Sequence, residues 1–366
     1  MNLILILFLC VVSTYSKYSV VLQRVNSGLP VCNELSKESE FSFNYNPAYV
    51  PIYAAKKLHT DALLVRCQNL KTPPWEPDPS ILCFTKVEVP GADEADPHLI
   101  TDLNEFSFET ITKESVVFEC EGEAENYGVE DPRVTYVKGW YYMFYSAVKK
   151  EGDQVISKLS LAKSQTPWIK KSWERLGEIP PPTVHWSKAG ALIYRDTPPH
   201  YLIWGDKNLT LSQCQNDELT EWTEHISPFM TTRETHFDSY LVESGPHPLK
   251  LDDGNYFFIY NSAQAGHPSE RPGYELQYNV GYLILDGQNP GIIVQRSEFP
   301  ILSPQLKWET GEEPYLGLVP NVVFLEGIKE LGDNTFLVFY GAADAVIGTA
   351  IIKVQNESTA PNQQQK

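Results

Sequence analysis

Short aromatic and β-branched runs recur along the chain, each entered from a turn-type residue or polar stretch and each closed by a small, polar or charged residue. They are 62–66 (ALLVR), 140–146 (WYYMFYS), 201–206 (YLIWGD), 256–261 (YFFIYN) and 336–341 (FLVFYG). They recur every roughly 55 to 80 residues, in or somewhat above the range of propeller repeats, which argues for one supersecondary unit repeated about a common axis. The runs are too short for most helices, and no apolar pattern of period 3.6 is sustained beyond about three turns, so the chain reads as all-β. Five blades of four strands at about 70 residues each use the whole length, which predicts a five-bladed β-propeller with a central funnel. Equivalent strand ends from every blade converge there, which makes the funnel the place to look for chemistry.

Turn clusters such as Thr72-Pro73-Pro74-Trp75-Glu76-Pro77 and Ile179-Pro180-Pro181-Pro182 punctuate the strands, and no low-complexity linker interrupts them. Residues 1–16 carry an apolar run from Leu3 to Val12 followed by Thr14-Tyr15-Ser16, the pattern of a secretory signal without its charged leading region. That run is too short to span a bilayer, which needs about 20 apolar residues. The reading is a signal peptide at 1–16, one propeller at 17–355 and a polar tail at 356–366, giving a secreted or lumenal protein. Removing Cys10 with the signal leaves Cys32, Cys67, Cys83, Cys120 and Cys214, an odd number, with Cys67–Cys83 as one conceivable pair. No C-x-x-C or Cys/His spacing points to a metal. Asn208-Leu209-Thr210 and Asn356-Glu357-Ser358 are glycosylation sequons, in keeping with the secretory route.

Acidic residues outnumber basic ones 47 to 29, and the net charge of −18 argues against nucleic acid and anionic membranes as partners. Neutral ligands fit better: 20 Tyr, 16 Phe and 8 Trp give flat apolar surface for sugar rings, although most aromatics belong between blades. No Gly-rich phosphate loop, serine elbow or metal-ligand spacing appears, so no cofactor is implied.

The densest chemistry lies in Gly128-Val129-Glu130-Asp131-Pro132-Arg133-Val134, just before the second recurrent run. Pro132 removes a ladder donor and three ionisable groups are costly to bury unpaired, which places the segment at a strand end. One reading is a turn closed by an ion pair of Arg133 with Glu130 or Asp131. The other is a carboxylate held in a cleft by a guanidinium, ready to bond a sugar hydroxyl.

With this motif the chain resembles glycoside hydrolase family 130, the β-mannoside phosphorylases and β-mannosidases. Phe43-Asn44-Tyr45-Asn46-Pro47-Ala48 with 63–66 looks like the family's first blade and Glu130-Asp131-Pro132-Arg133 like its signature. Ser244-Gly245-Pro246-His247-Pro248, Val319-Pro320-Asn321-Val322-Val323-Phe324 and 340–348 resemble its later motifs, so the likeness runs over about residues 40 to 352. It implies a five-bladed propeller with Asp131 as general acid, its proton relayed through the sugar's 3-hydroxyl. Like charge on Glu130 would raise the Asp131 pKa while Arg133 orients the carboxyl, two effects that oppose each other. The resemblance places Asn46, Arg66, Arg133, Asp238 and Asp344 around the mannosyl group; Glu130 and Lys188 complete the candidate substrate-binding set.

Water or phosphate as the attacking group turns on the third blade. Where a phosphorylase has an arginine after that strand, this chain has Gly205-Asp206, and an aspartate there would repel phosphate. The segment 236–243 (HFDSYLVE) resembles the branch reported as mannosidases, in which the glutamate matching Glu243 is a candidate to activate water. The first reading is therefore an inverting β-mannosidase with Asp131 as acid and Glu243 as base, their carboxylates about 6.5 to 9.5 Å apart or more. Glu309 is the second choice for the base, and His236 is read as positioning or structural. Two alternatives stay open. A β-mannoside phosphorylase using inorganic phosphate would need at least two cations beside Asp131, with Lys188, Arg195, Lys207, Arg233 and Arg271 as the residual basic groups. A catalytically silent carbohydrate-binding propeller would bind a glycan without turning it over. His247 and the insertion 264–277 depart from the family pattern beside the fourth blade.

Overall fold

The computed structural model describes residues 17–25, 39–54, 57–70, 77–88, 106–179, 184–269 and 271–357. The signal segment 1–16, Cys10, Cys32, Pro73–Trp75, Pro180–Pro182 and the tail from Ser358 onward lie outside them.

Five antiparallel sheets form a five-bladed β-propeller. From the axis outward, the first blade holds Phe43–Ala54, Lys57–Gln68, Ile81–Glu88 and the short pieces Ser107–Phe108 and Val116–Phe118. The second holds Gly128–Val137, Trp140–Glu151, Gln154–Ser164 and Glu174–Glu178. The third holds Ala191–Ile193, His200–Trp204, Asn208–Cys214 and Trp222–Thr231. The fourth holds Leu241–Ser244 with Leu249–Lys250, then Tyr256–Ala265, Leu276–Leu285 and Ile293–Arg296. The fifth holds Val323–Gly332, Thr335–Ala342 and Val346–Asn356, and its outermost strand is Tyr18–Arg24 from the other end of the chain. That strand pairs antiparallel from Tyr18 opposite Asn356 to Arg24 opposite Ala350, closing the ring with backbone hydrogen bonds.

Each recurrent run is the second strand of its blade, and burial explains why it is apolar throughout. Alternate side chains of a strand point to opposite faces, and here each face meets a neighbouring blade. Ala62 and Leu64 pack toward the second blade, Leu63 and Val65 toward the fifth. Tyr141, Met143 and Tyr145 face the first blade, whereas Tyr142 and Phe144 face the third. Five inter-blade cores result, and the site lies where the closing residues of these strands meet the innermost ones.

The innermost strands carry the irregularities. In the first, pairing skips from Tyr45 to Ala48, expelling Asn46-Pro47; in the second it skips from Glu130 to Arg133, expelling Asp131-Pro132. Asn46 and Asp131 have φ of 47° and 50°, a region Asn and Asp tolerate better than most residues. Proline costs nothing in a bulge because its missing N–H has no partner to lose. The Glu130–Arg133 motif is therefore a bulge within one strand, not the strand end expected from sequence.

Cys83, Cys120 and Cys214 are free thiols, and Val65 rather than Cys67 stands opposite Cys83. The conceivable Cys67–Cys83 pair is not formed.

Candidate active site

The two equivalent bulges bring Asn46 and Asp131 together: the Asn46 amide donates to Asp131 Oδ1 at 2.9 Å. Arg66, the last residue of the 62–66 run, donates through Nη1 to the same oxygen at 2.9 Å and through Nη2 to Glu130 Oε1 at 2.6 Å. Ser80 Oγ adds a bond to Glu130 at 3.0 Å, and the Arg66 guanidinium lies 4.8 Å from the centre of the Tyr45 ring. Arg66, not Arg133, is thus the cation on the Asp131 carboxylate. Arg133 is buried and donates to main-chain oxygens, Asp131 O and Ser244 O at 2.8 Å each, with its Nη2 3.2 Å from Glu326 and 3.5 Å from Glu243. It ties the second blade to the fourth and fifth.

From the third blade, Lys188 Nζ reaches Glu243 Oε2 at 3.1 Å. Asp206, at the end of the 201–206 run, lies close enough to raise the pKa of both, and the Trp186 indole donates to it at 3.0 Å. Trp186 is exposed and offers a flat face beside Lys188. From the fifth blade, Asp344 sits at φ 49° in the 342–346 turn, within electrostatic reach of Arg66, Asp131, Glu130 and Lys188. Side-chain exposure falls from 21% at Glu130 and 20% at Lys188, through 13% at Arg66 and 6% at Asp131, to 3% at Glu243 and 0% at Glu326. Glu130, Lys188 and Arg66 are partly exposed, whereas Asp131, Glu243 and Glu326 are buried.

Charge is unevenly shared in this well. Burial pushes the Asp131 pKa up, but Arg66, Lys188, Arg133 and the Asn46 amide outweigh it, so Asp131 falls well below the usual aspartate range. The sequence reading gave like charge from Glu130 and a guanidinium as opposing effects; the cations win. Burial prevails at the other acids. Glu130, Glu243 and Glu326 are all raised, and Asp344 is pushed up to about 7. Five carboxyls face three cations, an imbalance that favours retention of a proton among them.

Of the candidate residues, Asn46, Arg66, Glu130, Asp131, Arg133, Lys188, Glu243 and Asp344 are brought together. Asp238 is not. It is fully buried between Arg233, at 2.8 Å, and Arg296, at 2.5 Å, with the Tyr260 hydroxyl donating at 2.8 Å. These partners lie in the fourth blade or the loop before it, which makes Asp238 a structural ion-pair node. Glu309 is likewise neither base nor solvated loop acid: it accepts from Arg24, the Tyr340 hydroxyl and the amides of Gln305 and Leu306. His236 bonds Glu298. Of the residual basic groups, Lys188 reaches the acids of the well. Arg233 is spent on Asp238, Arg271 on the carbonyls of Gly317 and Leu318, Arg195 stacks on Tyr201, and Lys207 is exposed in a turn. The insertion 264–277 lengthens the hairpin between the second and third strands, paired as far as Ala265 opposite Leu276.

Sequence reasoning missed Glu326. It is the bulged residue of the fifth blade's innermost strand, where pairing skips from Leu325 to Gly327. The signal was present: a lone acid before glycine inside the apolar segment 322–328 (VVFLEGI).

A five-bladed ring whose axial well holds several acids, three cations and a rim aromatic has the makings of a sugar-transforming enzyme. The Glyco_hydro_130 family model, described as beta-1,4-mannooligosaccharide phosphorylase, matches residues 100–357, and the chain belongs to this family of mannoside-active enzymes. It is 31% identical over 242 residues to a 1,2-beta-oligomannan phosphorylase of Thermoanaerobacter sp. (strain X514), spanning 66% of this chain and 73% of that one. It is 30% identical over 249 residues to a beta-1,2-mannobiose phosphorylase of the same strain, spanning 68% and 73%. The fold is similar to that of beta-1,2-mannobiose phosphorylase from Listeria innocua, with TM-score 0.62 at 20% identity over 91% of this chain and 96% of that one. It is similar also to that of a glycosyl hydrolase from Bacteroides ovatus, with TM-score 0.64 at 21% identity over 85% and 84%.

Proposed function

We propose that this chain is a β-mannoside phosphorylase acting on β-1,2-linked mannosides, with Asp131 as general acid. Phosphorolysis, the alternative in the sequence reading, moves ahead of hydrolysis. The observation that carries it is that two partly exposed cations act on Asp131: Arg66, bonded to it at 2.9 Å, and Lys188, held at Glu243 within electrostatic reach, positive charge of the kind an incoming phosphate anion needs. The two relatives near 30% identity are named as phosphorylases of such sugars, in agreement with this reading.

The charge state of Asp131 fits the same scheme. A general acid needs a proton, yet Asp131 in the resting well is a carboxylate. Dihydrogen phosphate bound at Lys188 and Arg66 would neutralise the charges that hold Asp131 low and hand it a proton, leaving monohydrogen phosphate as the nucleophile. A phosphate oxygen then attacks the anomeric carbon from the face opposite the leaving sugar. The glycosidic bond breaks, and the Asp131 proton passes through the mannosyl 3-hydroxyl to the leaving oxygen. The products are α-mannose 1-phosphate and the shortened saccharide.

Hydrolysis is retained as a second reading because Asp206 lies beside Lys188 and Glu243, adding negative charge where phosphate would sit. Incubating the protein with β-1,2-mannobiose, with and without phosphate, separates the two. Mannose 1-phosphate formed only with phosphate supports phosphorolysis; mannose at a phosphate-independent rate overturns it. Binding without turnover would mark a silent propeller.

A further inference from the structure

The buried part of the well contains a feature that neither the sequence motifs nor the reaction above uses. Glu326 is fully buried and neither of its carboxyl oxygens has a hydrogen-bond partner among the described residues. Glu243 Oε1 is in the same condition, while its Oε2 is 3.1 Å from Lys188. The two unsatisfied carboxyls flank one atom, Arg133 Nη2, at 3.2 Å for Glu326 and 3.5 Å for Glu243. Arg133 is itself anchored to the carbonyls of Asp131 and Ser244 and cannot swing to serve either acid alone. Arg133 and Lys188, the cations on this pair, are also drawn on by Asp131 and Asp206, so two ionised carboxylates here would be under-compensated, a cost of several kcal/mol that a single shared proton removes.

We propose that Glu326 is a positioning residue that holds one proton in common with Glu243 across Arg133, and that passing this proton to Glu243 releases Lys188 to bind phosphate. The inference rests on the phosphorylase reading for its role, though not for the shared proton itself. With the proton on Glu326, Glu243 is a carboxylate and closes on Lys188. With the proton on Glu243, its hold on Lys188 weakens, Glu326 becomes the carboxylate paired with Arg133, and the ammonium is freed for an anion. One proton moves and no net charge changes. An anion entering at Lys188 draws the proton toward Glu243, so phosphate opens its own site.

The groups around the pair are consistent with this. Glu326 is faced by Arg133 and Asp131 from the second blade, Arg66 from the first and Glu243 from the fourth. Glu243 is faced by Lys188 and Asp206 from the third blade, Arg133 and Asp131 from the second, and Tyr278 on its own blade. Burial raises the proton affinity of both carboxyls, most strongly that of Glu326. The cations nearby oppose it without cancelling it.

The test combines infrared spectroscopy with kinetics on the full chain. At neutral pH the wild-type protein should show the carbonyl stretch of a protonated buried carboxyl, and that band should shift when inorganic phosphate is added. In an Asp344→Asn background, which removes the other carboxyl raised toward neutrality, the band should remain, and adding Glu326→Gln should abolish it. In Glu326→Gln alone the KM for phosphate should rise at least about tenfold with kcat less affected, since the proton that releases Lys188 is gone. The pH profile of kcat/KM for phosphate should lose one limb. Thermal stability should hold or increase, because a neutral isostere replaces a buried carboxyl. A wild-type band unmoved by phosphate, a band that survives Glu326→Gln in the Asp344→Asn background, or an unchanged phosphate KM in Glu326→Gln each overturns the inference. If the wild type forms no mannose 1-phosphate, the phosphorylase reading fails and the release role falls with it. The infrared band in wild type and the variants then decides the shared proton by itself.

Discussion

Arg66 Nη1 stands 2.9 Å from Asp131 Oδ1, although the two residues are 65 positions apart and belong to different blades. The same guanidinium holds Glu130 at 2.6 Å, so one cation on the first blade is shared by two adjacent carboxyls on the second. Removing one partner of a buried pair costs more than the pair contributes, because the remaining charge stays out of water. Arg66→Met should therefore destabilise the fold by about 3–5 kcal/mol, read from urea denaturation at pH 7. Asp131→Asn leaves Arg66 paired with Glu130 and should cost less. Equal losses in the two variants would contradict this account.

The chemistry of Asp131 separates from its structural part in turnover. Asp131→Asn preserves the shape of the bulge and can still accept from Asn46, but it has no proton to give. Rates with a mannoside whose leaving group needs protonation should fall about 10²–10⁴-fold, with the circular dichroism spectrum unchanged. An activated mannoside whose leaving group departs unprotonated should recover part of that loss. Wild-type rates on the natural substrate would remove Asp131 from the reaction.

The propeller was legible in sequence because the second strand of every blade is buried on both faces, leaving an unbroken apolar run of recognisable length. The innermost strands were not read as a recurring set, since their function interrupts the pattern. Asn46-Pro47, Asp131-Pro132 and Glu326 are bulged out of the pairing, and each places a polar residue where periodicity expects none. The place of Tyr18–Arg24 in the last blade is a pairing across the whole chain, to which local pattern is blind. Asp238 and Glu309 show the same limit for single residues. A carboxylate near a strand looks available until Arg233 and Arg296, or Arg24 and Tyr340, arrive from elsewhere in the fold.

Gly341 closes the second strand of the fifth blade against the first. A Cβ added there would overlap the Asn46 side-chain oxygen and lie 2.7 Å from the Asn46 backbone nitrogen. Asn46 cannot retreat without releasing Asp131. Gly341→Ala should lower kcat/KM by at least about tenfold, a positioning loss of the kind a small misplacement produces, while far-ultraviolet circular dichroism stays native. Full activity would show that the two innermost bulges tolerate more movement than their packing implies.

Asp344 gives stability a pH dependence of known sign. Its carboxyl is raised from the ordinary 3.8 to about 7, burial outweighing the attraction of Arg66. The folded state therefore binds its proton more tightly than the unfolded chain does. The resulting contribution is fully present below pH ~4 and is lost as pH rises through about 7. Asp344→Asn removes the dependence, so the variant should gain stability relative to wild type between pH 5 and about 8, compared by thermal denaturation at each pH. A constant difference across that window would mean that Asp344 is already ionised.

Lys188 and Asp206 decide between the two reactions. Lys188 is a residual basic group that reaches the acids, and Asp206 competes with any incoming anion for its charge. If phosphate is the nucleophile, Lys188→Gln should raise its KM by about tenfold or more, the scale expected for a charge-assisted contact in a partly buried site. Asp206→Asn should act in the opposite direction and lower the phosphate KM several-fold, since it removes repulsion and leaves the turn intact. The Trp186 indole can still donate to the amide oxygen, so the rim aromatic stays in place. Both shifts should shrink in high salt, because screening weakens the contacts nearest solvent. Were water the nucleophile, phosphate would not enter the rate law and neither variant would change its dependence. Asp206→Asn would then alter only the pH at which Glu243 ionises. Initial rates with β-1,2-mannobiose across a phosphate series, in wild type and the two variants, distinguish the outcomes: opposite shifts in phosphate KM fit phosphorolysis, and three superimposable phosphate-independent curves fit hydrolysis.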